Sequence, residues 1–164
     1  MTVMQSLPFT IVPIRPQDTP AVLEVYRKAA LSIRHAEYTP DILTELAARS
    51  ADEFDRLGQT RLRYVAMTGH RIVGYAGLDC DKSVLTECYV APEYSGQQIG
   101  SCLVAHIKEE AAKYGLTSLS VMAALNAVPF YEQHGFAESG ELYLSMRDDL
   151  RMRCMNMQCV ICTA

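Results

Sequence analysis

The sequence predicts an α/β protein, and three observations support the prediction. Residues 9–15 alternate as a strand does, and residues 18–33 carry apolar side chains at helical spacing. Residues 84–122 place an amphipathic helix between two short β-rich runs, which is typical of a β-α-β crossover. We therefore expect helices first, an antiparallel meander in the middle and one crossover after it.

Length and charge restrict the classes of function. At 164 residues the chain is long enough for one hydrophobic core and short for two, so we expect a single domain over residues 1–164. Its 15 Lys and Arg residues are scattered and the net charge is −4, which argues against a nucleic-acid partner. No apolar run approaches the roughly 18 residues of a membrane span. The N-terminus lacks the pattern of a signal peptide, so a cytoplasmic protein without membrane contact is expected.

The N-terminal part predicts one strand and two helices. The strand is "FTIVPIR", residues 9–15. "QDTP" then supplies a helix start, with Asp18 or Thr19 as the cap and Pro20 in the first turn. A second helix begins at "YTP" and carries several apolar residues on one side: Ile42, Leu43, Leu46 and Ala47. The intervening "RHAEY" is expected to form a loop.

The middle of the chain predicts the meander and the crossover helix. Residues 61–79 contain two β-rich runs joined at Gly69-His70, a pair suited to a tight turn with a positive φ. Residues 84–90 form the next strand. Apolar positions three or four apart then predict an amphipathic helix that stops at Gly115: Ile99, Leu103, Ile107, Ala111 and Tyr114.

After that helix, residues 118–122 predict a short strand, and "NAVPFYEQHG" predicts a short helix capped by Asn126 and ended by Gly135. "ELYLSMR" and "RMRCMNM" form a last hairpin around Asp148-Asp149. This hairpin is rich in Met and Cys. If it were an exposed edge, it could pair across a homodimer, and the sequence leaves that open.

Three of the six cysteines raise the question of a metal site. Cys154, Cys159 and Cys162 have C-x4-C-x2-C spacing, but no fourth ligand is evident nearby. Without a secretory signal, reduced thiols and no metal are expected.

The segment "YVAPEYSGQQIG", residues 89–100, runs from a strand end into a helix N-terminus. Such a loop presents unpaired backbone N–H groups and the positive end of the helix dipole, which together favour phosphate. Gly96 and Gly100 allow close approach, and the amides would come from Gln97, Gln98, Ile99, Gly100 and Ser101. The alternative is an ordinary loop with two glycines. The sequence lacks both G-x-G-x-x-G after the first strand and G-K-[ST], so a dinucleotide fold and a P-loop are improbable.

Two motifs together resemble a known family. "VAPEYSGQQIGSCL", followed about thirty residues later by "AVPFYEQHGF", is similar to the acyl-CoA signature of the GNAT superfamily of N-acetyltransferases. The resemblance implies a central mixed, mostly antiparallel sheet of about six to seven strands with about four helices. It also implies that the loop grips the pyrophosphate of coenzyme A. Acetyl-CoA would be the co-substrate, and a primary amine of a small molecule or peptide the acceptor.

The match has departures. At the position of Ser95 the family usually has Gln or Arg, and at the position of Gln98 it usually has Gly. It often has a polar residue where this chain has Ala124. Asn126 could replace that polar residue at the pantetheine, or serve only as a helix cap. We expect coenzyme A to bind, with the loss of glycine at Gln98 weakening it. The alternative is a module of the same fold that binds acyl-CoA and partners without turnover.

The resemblance also assigns catalytic roles to individual residues. Tyr131 occupies the tyrosine of the second motif, which makes it the acid that protonates the leaving thiolate; the alternative is a packed aromatic side chain. Main-chain groups of Cys88, Tyr89 and Val90 would hold the pantetheine and the carbonyl. A ping-pong route through the Cys88 thiol needs an activating base, and the sequence shows none.

Strand alternation assigns Cys88 and Val90 to the core face and Glu87 to the opposite face with Tyr89. Glu87 is thus a candidate base. The alternatives are a charge at an open strand face and a group that binds the substrate cation without taking its proton. Water could also act as the relay. By resemblance, the loop between the first two helices lines the acceptor pocket with His35, Glu37 and Tyr38. His134 is expected at the surface.

Overall fold

A computed structural model describes residues 8–162 of the chain. The strands are β1 (Thr10–Pro13), β2 (Leu62–Thr68), β3 (Arg71–Asp79), β4 (Val84–Val90), β5 (Ser118–Ala124), β6 (Ala137–Ser145) and β7 (Arg151–Val160). The helices are α1 (Thr19–Leu31), α2 (Pro40–Ala47), α3 (Ala51–Gly58), α4 (Ile99–Lys113) and α5 (Val128–Gln133). The predicted α/β class is confirmed, with α3 as an additional helix.

The strands form one 7-stranded sheet in the order β1-β2-β3-β4-β5-β7-β6. Neighbours are antiparallel except β4 and β5, which are parallel because α4 connects them as a crossover. The predicted hairpin turns through Gly69 at a φ of 59°. The last hairpin turns through Asp148 and Asp149, as predicted, at φ values of 55° and 60°.

Strand β7, which holds most of the Met and Cys residues of that hairpin, is not an edge. It lies between β5 and β6, and Met152, Cys154, Met157 and Cys159 are buried. Of the two strands of the hairpin, the one at an edge of the sheet is β6, where Tyr143 is exposed. If a homodimer forms by pairing of exposed edge strands, the strand of this hairpin that pairs is therefore β6 and not β7.

Helices cover both faces of the sheet. On one face α4 buries the predicted residues Ile99, Leu103, Ile107 and Ala111, whereas Tyr114 is 57% exposed because the helix ends there. On the other face α1 and α3 bury a second cluster that includes Tyr26 and Phe54. A third cluster joins α2 to the β6-β7 hairpin. Within residues 8–162, no helix combines the length and apolar composition needed to cross a membrane.

Side-chain caps are present at the starts of two of the five described helices, α2 and α3. The Thr39 side chain accepts from the Ile42 amide at the start of α2, and Ser50 accepts from the Glu53 amide at the start of α3. Asp18 precedes α1 but caps nothing there, because its buried carboxylate accepts from the Arg15 amide and guanidinium instead. Asp18 is therefore the N-cap residue of α1 by position, as one of the two predicted caps, but its side chain forms no capping hydrogen bond.

Candidate functional site

Strands β4 and β5 separate soon after they begin to pair. Their register joins only Val84 with Ser120 and Leu85 with Val121, although β4 continues to Val90. Beyond Leu85, the side of β4 that faces away from β3 has no strand partner in the described chain. Main-chain donors and acceptors along this gap are free to bind something other than a strand.

A cavity of about 250 Å³ opens in the gap. Its walls come from the end of α1, from β4 and β5, and from the segment that leads into α5. The structure brings several of the predicted site residues together there: Glu87, Cys88, Tyr89, Val90, Asn126 and Tyr131. This cavity is the candidate reaction site.

Tyr131 reaches the cavity from α5. Its ring packs edge-on against Phe130 and Phe136, at centroid distances of 5.1 and 5.5 Å, which fixes its orientation. The residue is only 6% exposed. Burial raises the pKa of the Tyr131 phenol well above its ordinary value, and the neighbouring Cys88 and Tyr89 add to the effect. The side chain therefore keeps its proton at neutral pH.

A bulge in β4 sets the direction of Thr86 and Glu87. The register with β3 slips between Gly77 and Leu78, so that Thr86 lies opposite no residue of β3. A Cβ on Gly77 would come within 2.5 Å of Thr86 Oγ1 and 2.9 Å of Glu87 Oε2. Both side chains thus lean over Gly77, and only glycine leaves room for them. Cys88 follows the bulge toward α4, as alternation predicts.

Glu87 is surrounded by guanidinium groups. Arg63 donates to it through Nε and Nη2, at 2.8 and 2.9 Å, and Arg49 Nη1 donates at 2.9 Å. Arg61 Nη1 lies 3.2 Å away. This arrangement differs from the expectation of a carboxylate available as a base. Hydrogen bonds from Arg63 and Arg49 occupy both oxygens, and Arg61 lies beside them, so neither oxygen is open to an amine.

The Cys88 thiol lines the cavity without an activating base. Its contact partner is the carbonyl of Gly100, at 4.0 Å. Burial raises the pKa of Cys88 to about 12. A thiol with that pKa is almost entirely protonated at neutral pH, which argues against the ping-pong route.

The loop between β4 and α4 has the conformation of an anion site. Gly96 and Gln98 both adopt the left-handed region, with φ values of 80° and 64°. Residues 96–101 donate no backbone hydrogen bond to any part of the chain that the structure describes, and the first paired amide is that of Cys102. A Cβ added at Gly96 would meet nothing within 4 Å, so the loop is open to solvent on that side. Several N–H groups therefore point outward together at a helix N-terminus.

The second motif holds this loop in place. A Cβ on Gly100 would approach the Phe130 ring to 3.3 Å, so the first turn of α4 lies directly on α5. His134 Nε2 lies 3.0 Å from Ser101 Oγ, and the His134 ring is tilted over Phe130. His134 is therefore half-buried beside the loop and not a plain surface residue as predicted.

Asn126 caps no helix. It lies in a short 3-10 turn, Leu125–Ala127, and the residue that precedes α5 is Ala127. Asn126 instead lines the cavity. The prediction of a cap is wrong, and the pantetheine role stays a prediction.

The predicted acceptor residues lie elsewhere. His35, Glu37 and Tyr38 do not line the cavity; its α1 wall is made by Ala29, Ser32 and Ile33. These residues carry no motif, and only the helical stripe that includes Ala29 and Ile33 could have indicated them.

The loop after α1 turns toward β7, which explains the difference. The Tyr38 hydroxyl donates to the Arg153 carbonyl at 2.7 Å and accepts from the Leu125 amide at 2.8 Å. Glu37 forms an ion pair with the Arg153 guanidinium. Tyr38 therefore ties the α1-α2 loop to β7 and to the turn before α5.

Over residues 8–162, no group of His, Cys, Asp and Glu side chains is arranged to hold a metal ion. Cys154 and Cys159 are buried, whereas Cys162 is exposed.

Residues 35–159 match the family described as "Acetyltransferase (GNAT) domain". No curated protein sequence gives a significant match. Among solved structures, a GCN5-related N-acetyltransferase from Rhodopseudomonas palustris superposes with a TM-score of 0.87 at 20% identity, over 98% of this chain and 99% of that one.

Two further structures contain ligands. A paiA N-acetyltransferase from Thermoplasma acidophilum, in complex with coenzyme A, gives a TM-score of 0.76 at 18% identity over 93% of this chain and 98% of that one. A phosphinothricin acetyltransferase from Sinorhizobium meliloti, in complex with acetyl-CoA, gives 0.70 at 18% identity over 94% and 89%. At such identities the likeness establishes the fold.

Proposed function

Since the chain belongs to the GNAT family of acetyltransferases, as its two motifs predict, we propose that it transfers the acetyl group of acetyl-CoA to a primary amine of a small molecule or peptide. The observation that carries the proposal is the gap between β4 and β5, with Tyr131 and the free side of β4 in its walls. Family membership confirms acetyl transfer and acetyl-CoA as co-substrate at the level of the family; the amine acceptor is the proposal.

The residues present fit coenzyme A. The unpaired amides of residues 96–101 suit a pyrophosphate, and the open side of Gly96 leaves room for it. Amide-bearing pantetheine suits the free main chain of β4 beside Cys88, Tyr89 and Val90, with Asn126 opposite. Gln98 has the left-handed backbone conformation that the family's glycine would adopt easily. The presence of Gln in place of Gly at this position therefore leaves the loop geometry intact.

Bound acetyl-CoA supplies an acetyl group on a thioester carbonyl, which a neutral amine nitrogen can attack. Main-chain N–H groups of β4 stabilise negative charge on the carbonyl oxygen, and Tyr131 holds a proton where the thiolate departs. The new C–N bond replaces the C–S bond, and Tyr131 gives its proton to the departing thiolate. The extra amine proton goes to water, and water returns a proton to the Tyr131 phenolate. Water is the acceptor of the amine proton because Glu87 is committed to its guanidinium partners.

A thiol-release assay with a broad amine panel tests the proposal. It should be preceded by a thermal melt with acetyl-CoA at about a hundredfold excess over Kd, which adds about 2.7 kcal/mol and raises Tm by roughly 5 to 10 °C. Release of thiol that depends on the amine supports the enzyme. A stabilised protein that acetylates no amine would instead be a non-catalytic acyl-CoA-binding module. The cytoplasmic location, the single domain and the homodimer stay predictions.

A further inference from the structure

The group around Glu87 carries more positive than negative charge. One carboxylate, only 2% exposed, has contacts with Arg49, Arg61 and Arg63. Arg63 is fully used, because its remaining nitrogen donates to the Phe54 carbonyl at 2.7 Å and its guanidinium lies over the Phe54 ring. Arg49 and Arg61 are each about one-fifth exposed, at 20% and 19%. Uncompensated positive charge on partly buried guanidinium groups destabilises the folded protein unless a further anion binds there.

Arg49 has hydrogen-bond donors that Glu87 does not use. Its Nη1 donates to Glu87 at 2.9 Å, and in the described part of the chain Nε and Nη2 have no acceptor. The guanidinium carbon lies 4.5 Å from the centroid of the Tyr26 ring, which holds the group flat. The free Nε-Nη2 edge has the fork geometry that binds a carboxylate through two parallel hydrogen bonds.

Arg49 lines a groove of about 280 Å³ between α1, α2 and the β6-β7 hairpin. The other charged residues in the groove are Glu45, Glu53 and Arg147. Glu45 lies 3.5 Å from Arg147, so that charge is compensated locally. Glu53 is partly exposed, and its backbone amide donates to the Ser50 side chain that caps α3.

The groove and the reaction cavity meet at Glu87. That residue lines the cavity, and its Oε1 binds the Arg49 side chain that lines the groove. A group held by Arg49 would therefore lie one side chain away from an amine in the cavity. Glu87 acts here as a positioning residue that aims the Arg49 fork.

We infer that the acceptor is an amine that also carries a carboxylate, as amino acids do, and that Arg49 binds this carboxylate. The inference rests on the proposed function, because it names the substrate class of the same site. Arg49 is then a specificity residue, and the carboxylate of the substrate halves the excess positive charge around Glu87, from two to one.

The test compares each of several amino acids with its primary amide. The two acceptors have nearly the same shape, but only the acid offers a carboxylate. We expect wild-type kcat/KM to favour the acid by roughly 10- to 100-fold, the range for hydrogen bonds between two charged groups. The ratio should fall to near one in Arg49→Gln and take an intermediate value in Arg49→Lys, which keeps the charge and loses the fork.

Arg61→Gln is the matched control. Arg61 contacts the same carboxylate with similar exposure but lines a different cavity, so its loss disturbs the charge group without touching the groove. It should keep the acid-to-amide ratio. Equal rates for acids and amides in the wild type, or a ratio that Arg49→Gln leaves unchanged, would overturn the inference while amine acetylation stands. If no amine releases thiol, the proposed function itself fails. Arg49→Lys serves if Arg49→Gln does not fold.

Discussion

His134 Nε2 lies 3.0 Å from Ser101 Oγ, and this contact joins the helix of the second motif to the first turn of α4. Ser101 is among the residues whose backbone amides are unpaired at the candidate anion site. A titratable ring thus stands beside the place where the phosphates of coenzyme A are expected. Lys108, which donates to the His134 carbonyl, is the charged group that faces it from α4.

The first prediction concerns pH and coenzyme A affinity. Burial, and then the Lys108 ammonium, lower the pKa of His134 below its ordinary value, so the ring is neutral at pH 7.5. Protonation adds a positive charge near the phosphates, and bound anion in turn favours the protonated form. Affinity should therefore rise as pH falls through the His134 pKa, on the acid side of about 6.5. Partial exposure limits the gain to roughly 2- to 5-fold between pH 7.5 and 5.5.

Calorimetric titration with 3′-dephospho-CoA measures this effect, because its pyrophosphate stays ionised over the range. His134→Gln keeps a hydrogen-bonding group beside Ser101 and should bind with no pH dependence there. The same pH slope in the variant as in the wild type would assign the effect to another group.

The second prediction concerns the acid. Tyr131→Phe should lower kcat by about 10² and leave the Kd for coenzyme A nearly unchanged, since only the proton donor is lost. Because burial raises the pKa of Tyr131 well above its ordinary value, the wild-type rate should not fall between pH 8 and pH 10 through ionisation of this phenol. Tyr143→Phe, on the exposed edge strand, is the control. A variant as active as the wild type would show that Tyr131 only packs.

The third prediction concerns Gln98. A left-handed φ of 64° at a non-glycine residue costs about 1 kcal/mol, and Gln98→Gly should recover it, with a Tm rise of roughly 2 to 4 °C. The strained conformation exists before any ligand binds, so it weakens folding and not binding. The Kd for coenzyme A should therefore stay within about twofold.

Ser83→Gly is the control for Gln98→Gly. Ser83 has a φ of 56° far from the loop, and its replacement should give a similar Tm rise. A tenfold gain in affinity that is confined to Gln98→Gly would mean that the loop rearranges on binding.

The fourth prediction separates the two roles considered for Glu87. Glu87→Gln leaves three guanidinium groups without their carboxylate, so urea unfolding should show a loss of about 3 kcal/mol. Glu93→Gln removes an exposed carboxylate from Lys28 and Arg71 and should hardly shift the urea midpoint. A stable Glu87→Gln variant with kcat lowered by about 10² would restore the role of base.

Much of the fold follows from local signals in the sequence. The hairpin at Gly69-His70, the strand ending at Val90 and the helix that ends just before Gly115 each combine a period with a turn residue. Helix α3 was missed because its surface is mostly charged, although Ser50 and Glu53 stand at the spacing of a capping box.

The sequence predicted residues of the site reliably only where they belong to one of the two motifs. The loop and Tyr131 lie in motifs, whereas the arginines around Glu87 come from elements 24 and 38 residues distant. Strand alternation gave the face of Glu87 correctly but could not show what faces it, because that depends on tertiary packing and on a bulge with no sequence signal. The same limit explains why His35, Glu37 and Tyr38 do not line the cavity, and their role at the acceptor stays a prediction.

The short register between β4 and β5 divides the sheet into two antiparallel blocks, one from β1 to β4 and one from β5 to β6, that share a narrow seam. Along this seam the blocks can part with the smallest loss of main-chain hydrogen bonds. A molecule bound in the gap would form contacts with both blocks and so link them. The protein with this molecule bound would then unfold more cooperatively than the protein without it.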